Sequence, residues 1–179
     1  MKYQAVFRRH YVCFEWRWLP QWLFWLFIMA FLLPLSQKQP FIMYPSEIVL
    51  PMKAELTDHG FQELLDSTSV DHTLAQTGTT LVMINSVCGC SAGSARPGVI
   101  MAVAASDKKP DHLTTTFAGY DMEAVQKVRE HLLPYPPSSP AIALFKDGKL
   151  VHMIERHQIE GRPARVIAGN LMAAFEEFC

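Results

Sequence analysis

The stretch Asn85–Gly98, NSVCGCSAGSARPG, places Cys88 and Cys90 one residue apart. Two thiols at that spacing have three uses: they exchange disulfides, they hold a soft metal, or they sit side by side in an apolar core. Their position discriminates among these. A β-rich apolar run, Thr79–Asn85 (TTLVMIN), comes just before, and a stretch rich in Ala and Gly comes just after. This is a strand passing into a helix, with Cys88 ahead of the first turn and Cys90 inside it. A helix N-terminus offers unpaired N–H groups and a partial positive charge, and both favour a thiolate over a thiol. Cysteines so placed have pKa values of ~3.5–7.5, against about 8.5 for a free thiol. The thiolate is the nucleophile of disulfide exchange. Cys88 is therefore expected to attack and Cys90 to resolve. Gly89, Ser91, Ala92 and Gly93 are expected to leave an incoming disulfide room.

A bridge from residue i to i+2 closes a small ring with a narrow geometric window. It suits a pair that is reduced and recycled rather than a permanent staple. The metal reading, a Zn²⁺ or Cu(I) thiolate module, is the alternative from another class. A closed zinc site wants four ligands, no second pair stands at finger spacing, and His72, His112, His131, His152 and His157 are scattered. The chain of 179 residues has four cysteines, the other two being Cys13 and Cys179. So sparse a set is no secreted disulfide framework and points to a cytoplasmic protein. A net charge of −1 indicates no nucleic-acid partner.

The elements that must position the pair are legible over residues 43–179. Short helices are expected at Pro45–Ala54, at His59–Asp66 with Asp58 as its cap, and at Val70–Gln76 with Asp71 near its start. The Thr79–Asn85 strand follows, then a helix over Cys90–Ala105 that turns Val99, Ile100 and Val103 inward and is kinked by Pro97. His112–Phe117 reads as a second strand. Asp121–Leu132 reads as an amphipathic helix with Met122, Val125, Val128 and Leu132 on one side. A proline-rich loop over Pro134–Pro140 leads to a hairpin, Ala141–Lys146 and Lys149–Glu155, turned at Asp147-Gly148. A last helix, Pro163–Phe178, lines up Val166, Ile167, Leu171, Met172 and Phe175. Strand, helix, strand, helix, strand, strand, helix is the order of a thioredoxin-like α/β fold, a mixed central sheet flanked by helices.

That topology assigns places to other groups. In thioredoxin-like folds a cis-proline opens the strand facing the redox motif, and Ser139-Pro140 stands there. A cis bond at Pro140 is expected, with Ser139 backbone groups pairing a bound substrate. The turn Glu155–Arg162 is expected at the same edge. There His157 tunes the thiolate, Arg156 attracts an acidic thiol, or the turn is merely solvated. At about 1.5 Å per residue the last helix carries Cys179 roughly 20 Å away, too far to resolve a disulfide at Cys88.

Residues 1–42 differ in composition from the rest. Lys2, Arg8, Arg9 and Arg17 precede the apolar run Trp22–Leu33, which Pro20 and Pro34 bracket. The run is shorter than the ~20 residues a spanning helix needs, and Leu35-Ser36-Gln37-Lys38 is a poor signal-peptidase site. Two readings of this extension stand: a mis-assigned start ahead of Met43, or a membrane anchor over residues 19–35 with interfacial Trp16, Trp18, Trp22 and Trp25. Cys13 lies within it and is given no role.

From Tyr44 to Cys179, about three quarters of the chain, the sequence resembles the bacilliredoxin family. The resemblance is carried by MYPSEIVLPMKAEL, NSVCGCSAGSARPG, YPPSSPAIALFKDGKLVHMIERHQIEGR and AAFEEFC. It implies a thioredoxin-like oxidoreductase that removes bacillithiol from S-bacillithiolated client proteins, with bacillithiol as thiol co-substrate and no further cofactor. It implies Cys88 as nucleophile and Cys90 as resolver, with weaker general disulfide isomerase or reductase activity. Family members generally lack the first 42 residues.

Overall fold

The computed structural model describes residues 43–179. The two readings of the N-terminal extension, the anchor over 19–35 and Cys13 all lie outside the described residues. Among the described residues, no helix is long and apolar enough to cross a membrane.

The sheet is built around β2 (Thr79–Asn85), whose seven residues are all buried. Continuous burial follows from its flanks: it pairs in parallel with β3 (His112–Phe117) and antiparallel with β4 (Ala141–Lys146). Beyond β4 lies β5 (Lys149–Ile154), antiparallel, and beyond β3 lies the two-residue β1 (Gln62–Glu63), parallel. The order β1-β3-β2-β4-β5 is mixed, as the crossover-then-hairpin sequence of elements requires. With helices on both faces this is the thioredoxin-like α/β fold.

Side chains of a strand alternate between faces, and here the alternation builds two cores. Leu81 and Met83 of β2 join Ile142 and Leu144 of β4 on one face. That face is covered by α3 (Arg96–Ala105) and α6 (Ala164–Phe178), through Val99, Ala102, Ile167, Leu171 and Phe175. Val82 and Ile84 join Ala143 and Phe145 on the other. There α2 (Ser67–Leu74) and α4 (Met122–His131) supply Val70, Leu74, Val125 and Val128. The first helix, α1 (Ser46–Thr57), sends Leu56 into the first core and runs one turn past the expected Ala54.

Four expectations are corrected. His59–Asp66 is not a helix. Gly60, at φ +86°, takes the left-handed conformation that ends α1. Gln62 and Glu63 then pair with Thr114 and Thr115, giving the outer edge of β3 its backbone partners. Phe61 and Leu64 are buried, and Leu65 is exposed. The next helix starts a turn earlier than Val70, because Asp66 rather than Asp71 caps it. Its carboxylate accepts from Ser69 N at 2.7 Å, and the Ser69 hydroxyl returns to the Asp66 backbone N–H in a capping box. Pro97 does not kink a regular helix. It falls in the first turn of α3, where a missing N–H costs little, and a wide π-helical turn over Ser91–Ala95 precedes it. On α6, Val166 and Met172 are exposed, while Ala168 and Ala174 take buried positions on the apolar face.

Candidate active site

Four chain segments meet at one edge of the sheet. β2 and β3 run in parallel and end there. β4 runs the other way and begins there, with Ala141 opposite Ile84, and β5 returns with Ile154 opposite Ile142. The segments just beyond these ends are therefore neighbours: Ser86–Cys90, Ala118–Asp121, Ser139-Pro140 and Glu155-Arg156. The Ser139–Pro140 bond is cis, as its position led us to expect, and so is Leu133–Pro134.

Cys88 and Cys90 are joined in a disulfide, with Cα atoms 5.4 Å apart. The Cys88 carbonyl accepts from Ser91 N at 3.0 Å and Ala92 N at 3.2 Å, so Cys88 stands where the helical segment starts. Its sulfur accepts from Ser91 N and from the Ser86 hydroxyl, each at 3.3 Å. Both donors would stabilise negative charge on that sulfur once the disulfide is opened. Cys90 is half-buried and packs against the first core. Gly89, Ala92 and Gly93 are exposed as expected, but Ser91 is fully buried and borders no approach route.

The reason lies beneath the pair. Asn85 Oδ1 accepts from Ser86 N and Ser91 Oγ, each at 2.8 Å, and from Arg96 Nη1 at 3.1 Å. Asn85 Nδ2 donates to Met52 O at 3.1 Å. Arg96 is almost wholly buried, 2% exposed. Its Nε donates to Glu55 Oε2 at 2.6 Å and its Nη2 to Glu55 Oε1 at 3.1 Å, while Nη1 also reaches Ser86 O at 3.2 Å. This network ties α1, the end of β2 and the cysteine-bearing turn together. Sequence reasoning missed it. The one signal was the charge of Arg96 amid small, apolar residues, since an arginine buried there needs acceptors.

A second buried polar group supports the end of β3. Lys53 Nζ lies 2.9 Å from Asp121 and 2.7 Å from Glu63, with the Tyr120 ring centroid at 5.1 Å. Asp121 also accepts from Phe117 N at 2.8 Å. Burial raises the Asp121 carboxyl above the ordinary range, and Lys53 opposes this without cancelling it. Burial pulls Lys53 down, but its hydrogen bonds to Glu63 and Asp121 outweigh that and raise it.

Beside Cys88 opens a cleft of about 270 Å³. Ser86, Ser139, Tyr44, Arg129 and Arg156 are among the residues lining it, and among the described residues no carboxylate does. Arg156 Nη1 donates to Ser139 O at 3.3 Å, so the segment before β4 and the turn after β5 are linked at the cleft. Arg156 begins a single-turn helix, α5 (Arg156–Ile159), capped by Glu155 and Gln158. His157 is exposed and does not line the cleft. Pro140 is buried and Ser139 half-buried.

Cys179 belongs to the opposite edge of the sheet. Its neighbours are Thr79, Asp111, Lys146 and Lys108, at the start of β2, and β2 spans about 20 Å at its usual rise. The residue is exposed overall, yet partial burial of the thiol, only partly opposed by the Thr79 hydroxyl, raises it above the ordinary value. Among the described residues, no group of three or more His, Cys, Asp or Glu side chains is placed to hold a metal ion.

Residues 44–179 match the family model described as "Disulphide isomerase". A protein of Cytophaga hutchinsonii named "Bacilliredoxin" is 57% identical over 135 residues, covering 75% of this chain and 99% of its own. "Bacilliredoxin BH1716" of Halalkalibacterium halodurans is 50% identical over 137 residues, covering 76% of this chain and 94% of its own. Among solved structures, oxidised mitochondrial thioredoxin 3 of Saccharomyces cerevisiae superposes with a TM-score of 0.47 at 16% identity, over 69% of this chain and 98% of that one. With its adjacent cysteine pair at the strand-to-helix junction of a thioredoxin-like fold, the chain belongs to the bacilliredoxin family of thiol–disulfide oxidoreductases.

Proposed function

We propose that the chain removes bacillithiol from S-bacillithiolated protein cysteines, with Cys88 as nucleophile and Cys90 as resolver. The observation that carries the roles is the asymmetry of the pair. Cys88 lines the cleft and its sulfur accepts two hydrogen bonds, whereas Cys90 is absent from the lining and packs against the core. In the first step the Cys88 thiolate attacks the bacillithiol sulfur of the mixed disulfide. The client thiolate leaves and takes a proton, and Cys88 carries the bacillithiol. In the second, the Cys90 thiolate attacks Cys88 Sγ and expels bacillithiol as a thiol. The dithiol supplies two electrons and two protons and becomes the Cys88–Cys90 disulfide. Reduced bacillithiol or a protein dithiol must then reduce it for another turnover.

Ser139 and Pro140 are assigned to substrate contact: Ser139 lines the same cleft as Cys88, and Pro140 sets its carbonyl through the cis bond that follows it. Bacillithiol is a co-substrate, and no bound cofactor is required by the two steps. The sparse thiols suit the cytoplasm as the setting.

The test is a single-cysteine protein carrying bacillithiol, mixed with reduced enzyme and followed by intact mass. Wild type should release free bacillithiol. Cys90→Ala should stop with one bacillithiol on Cys88, and Cys88→Ala should release none. Full release by Cys88→Ala would reverse the two roles. The family description favours a second reading, general disulfide isomerisation. Faster rescue of a scrambled multi-disulfide protein than of the bacillithiolated one would favour it.

A further inference from the structure

Arg129 stands out because nothing in the two-step exchange uses it. It projects from α4 into the cleft wall beside Cys88. It is absent from every ion pair among the described residues. Its Nε is buried and has no hydrogen-bond partner among them. Buried polar groups in folded proteins are nearly always paired, and an uncompensated guanidinium in a half-buried wall is costly. Burial accordingly lowers Arg129 from its ordinary value. A second guanidinium, Arg156, lines the same cleft, donates to Ser139 O and forms an exposed ion pair with Glu160 at 3.4 Å. Among the described residues, two cations line one small opening, Arg129 with no ion-pair partner and Arg156 paired only with exposed Glu160, and no carboxylate lines it, which makes a site for an anion. The planar guanidinium fork matches a carboxylate in particular.

We infer that Arg129, assisted by Arg156, forms a carboxylate subsite beside Cys88 that selects and orients the small thiol exchanged in this cleft. This rests on the exchange chemistry proposed above and assigns the residues that set its specificity. The carboxylate is engaged while the thiol's sulfur is bonded to the client or to Cys88. It is released when Cys90 displaces that sulfur. The subsite forms no covalent bond and leaves the electron balance of the exchange unchanged. It orients the small thiol so that its own sulfur, rather than the client's, meets Cys88.

The experiment uses one single-cysteine client capped as a mixed disulfide with either N-acetylcysteine or its carboxamide, and reads release of the cap. The two caps differ in intrinsic reactivity. The quantity compared is therefore the acid-to-amide ratio of kcat/KM in wild type divided by the same ratio in Arg129→Gln, in which that difference cancels. A charge-assisted hydrogen bond predicts a quotient of about ten. Arg129→Lys should give a smaller quotient and exposed Arg156→Gln about three, and added salt should shrink all of them. The effect should fall mainly on KM. If Arg129→Gln does not fold, the Arg129→Lys and Arg156→Gln quotients decide in its place. Quotients of one with an active wild type would overturn the subsite and leave the exchange reading standing. Release of neither cap by a wild type that does release bacillithiol would overturn the subsite alone, and failure to release bacillithiol as well would overturn both. A further arm places Glu or Gln beside the capped client cysteine, using the amide cap. If Arg129→Gln alters that Glu-to-Gln ratio while the cap quotient is one, the cations read the client and the inference is wrong.

Discussion

Arg96 Nη1 lies 3.1 Å from Asn85 Oδ1, an oxygen that already accepts from Ser86 N and Ser91 Oγ. One side-chain amide thus gathers the end of β2, the first residue beyond it and the turn holding the cysteines. Arg96 completes the arrangement from α3 and forms an ion pair with Glu55 on α1. The cysteine pair is held in place by groups outside its own motif.

Removing Arg96 should therefore weaken both stability and chemistry. Arg96→Leu leaves Asn85 and Ser91 short of a donor and Glu55 without its cation. The expected loss is about 2–3 kcal/mol, moderated because Glu55 is 47% exposed and can be solvated. Urea unfolding measures it. In the folded fraction, alkylation of reduced Cys88 at neutral pH should slow, because the turn that presents Ser91 N to its sulfur is loosened. Glu55→Gln should cost less than Arg96→Leu. Equal stability of Arg96→Leu and wild type would remove the network's structural role.

Alkylation across a pH series should separate the thiols. In the disulfide, Cys88 Sγ accepts hydrogen bonds from Ser91 N and Ser86 Oγ; with these donors kept after reduction, its rate should begin to rise at lower pH than that of a free cysteine. Cys179, raised by partial burial, should titrate at higher pH than a free cysteine. Peptide mass analysis after timed iodoacetamide quenching reads both sites in one sample. Identical profiles for the two would contradict the role given to Cys88. Ser86→Ala should move the Cys88 profile back toward the ordinary one, by about half a unit to one unit.

Gly119 admits no side chain. It sits at φ +81°, and an added Cβ would fall 2.5 Å from Tyr44 Cε2. Tyr44 is itself held by its N–H on Gly119 O at 3.1 Å and lines the cleft. Gly119→Ala should cost about 1–2 kcal/mol through the left-handed backbone alone. It should also displace Tyr44 and slow release of a capped thiol. Gly89→Ala is the contrasting change, since a Cβ there meets nothing within 4 Å, and it should leave stability within about 0.5 kcal/mol of wild type.

Asp111 makes acid stability testable. Its Oδ2 accepts from Thr79 N at 2.7 Å and Thr79 Oγ1 at 2.8 Å, and these bonds lower its carboxyl below the ordinary range. A depressed folded-state pKa stabilises above the unfolded value, ~3.9, and that contribution fades as pH falls through the folded value. The urea midpoint of wild type should therefore drop more steeply below pH ~4 than that of Asp111→Asn. Parallel curves would show that the Thr79 bonds do not favour the ionised form.

Periodicity and turn chemistry made much of the fold readable in advance. The buried run of β2, the Asp147-Gly148 hairpin and the apolar stripe of α4 are local patterns, and each stands where expected. The failures share a cause. Phe61 and Leu64 suit either a helix or a strand when read alone, and the free edge of β3 decided for a strand. Val166 and Met172 look like core on a helical wheel, but α6 meets α3 across small residues instead. At Gly98 a Cβ would lie 2.8 Å from Ile167 Cβ, so the contact leaves those two larger side chains in solvent.

At the site the division is similar. The cysteine pair, its place at a helix start and the Ser139-Pro140 step ahead of β4 are short-range features, set by neighbours in the chain. Asn85, Arg96 and Glu55 as a single network, and Arg129 beside Cys88, are contacts between segments far apart in sequence. Local propensity says nothing about which buried charge will find which partner, because that depends on how the helices cross the sheet. Composition and spacing determined what chemistry this chain carries. Only the packing of α1, α3 and α4 decided which polar groups support and border it.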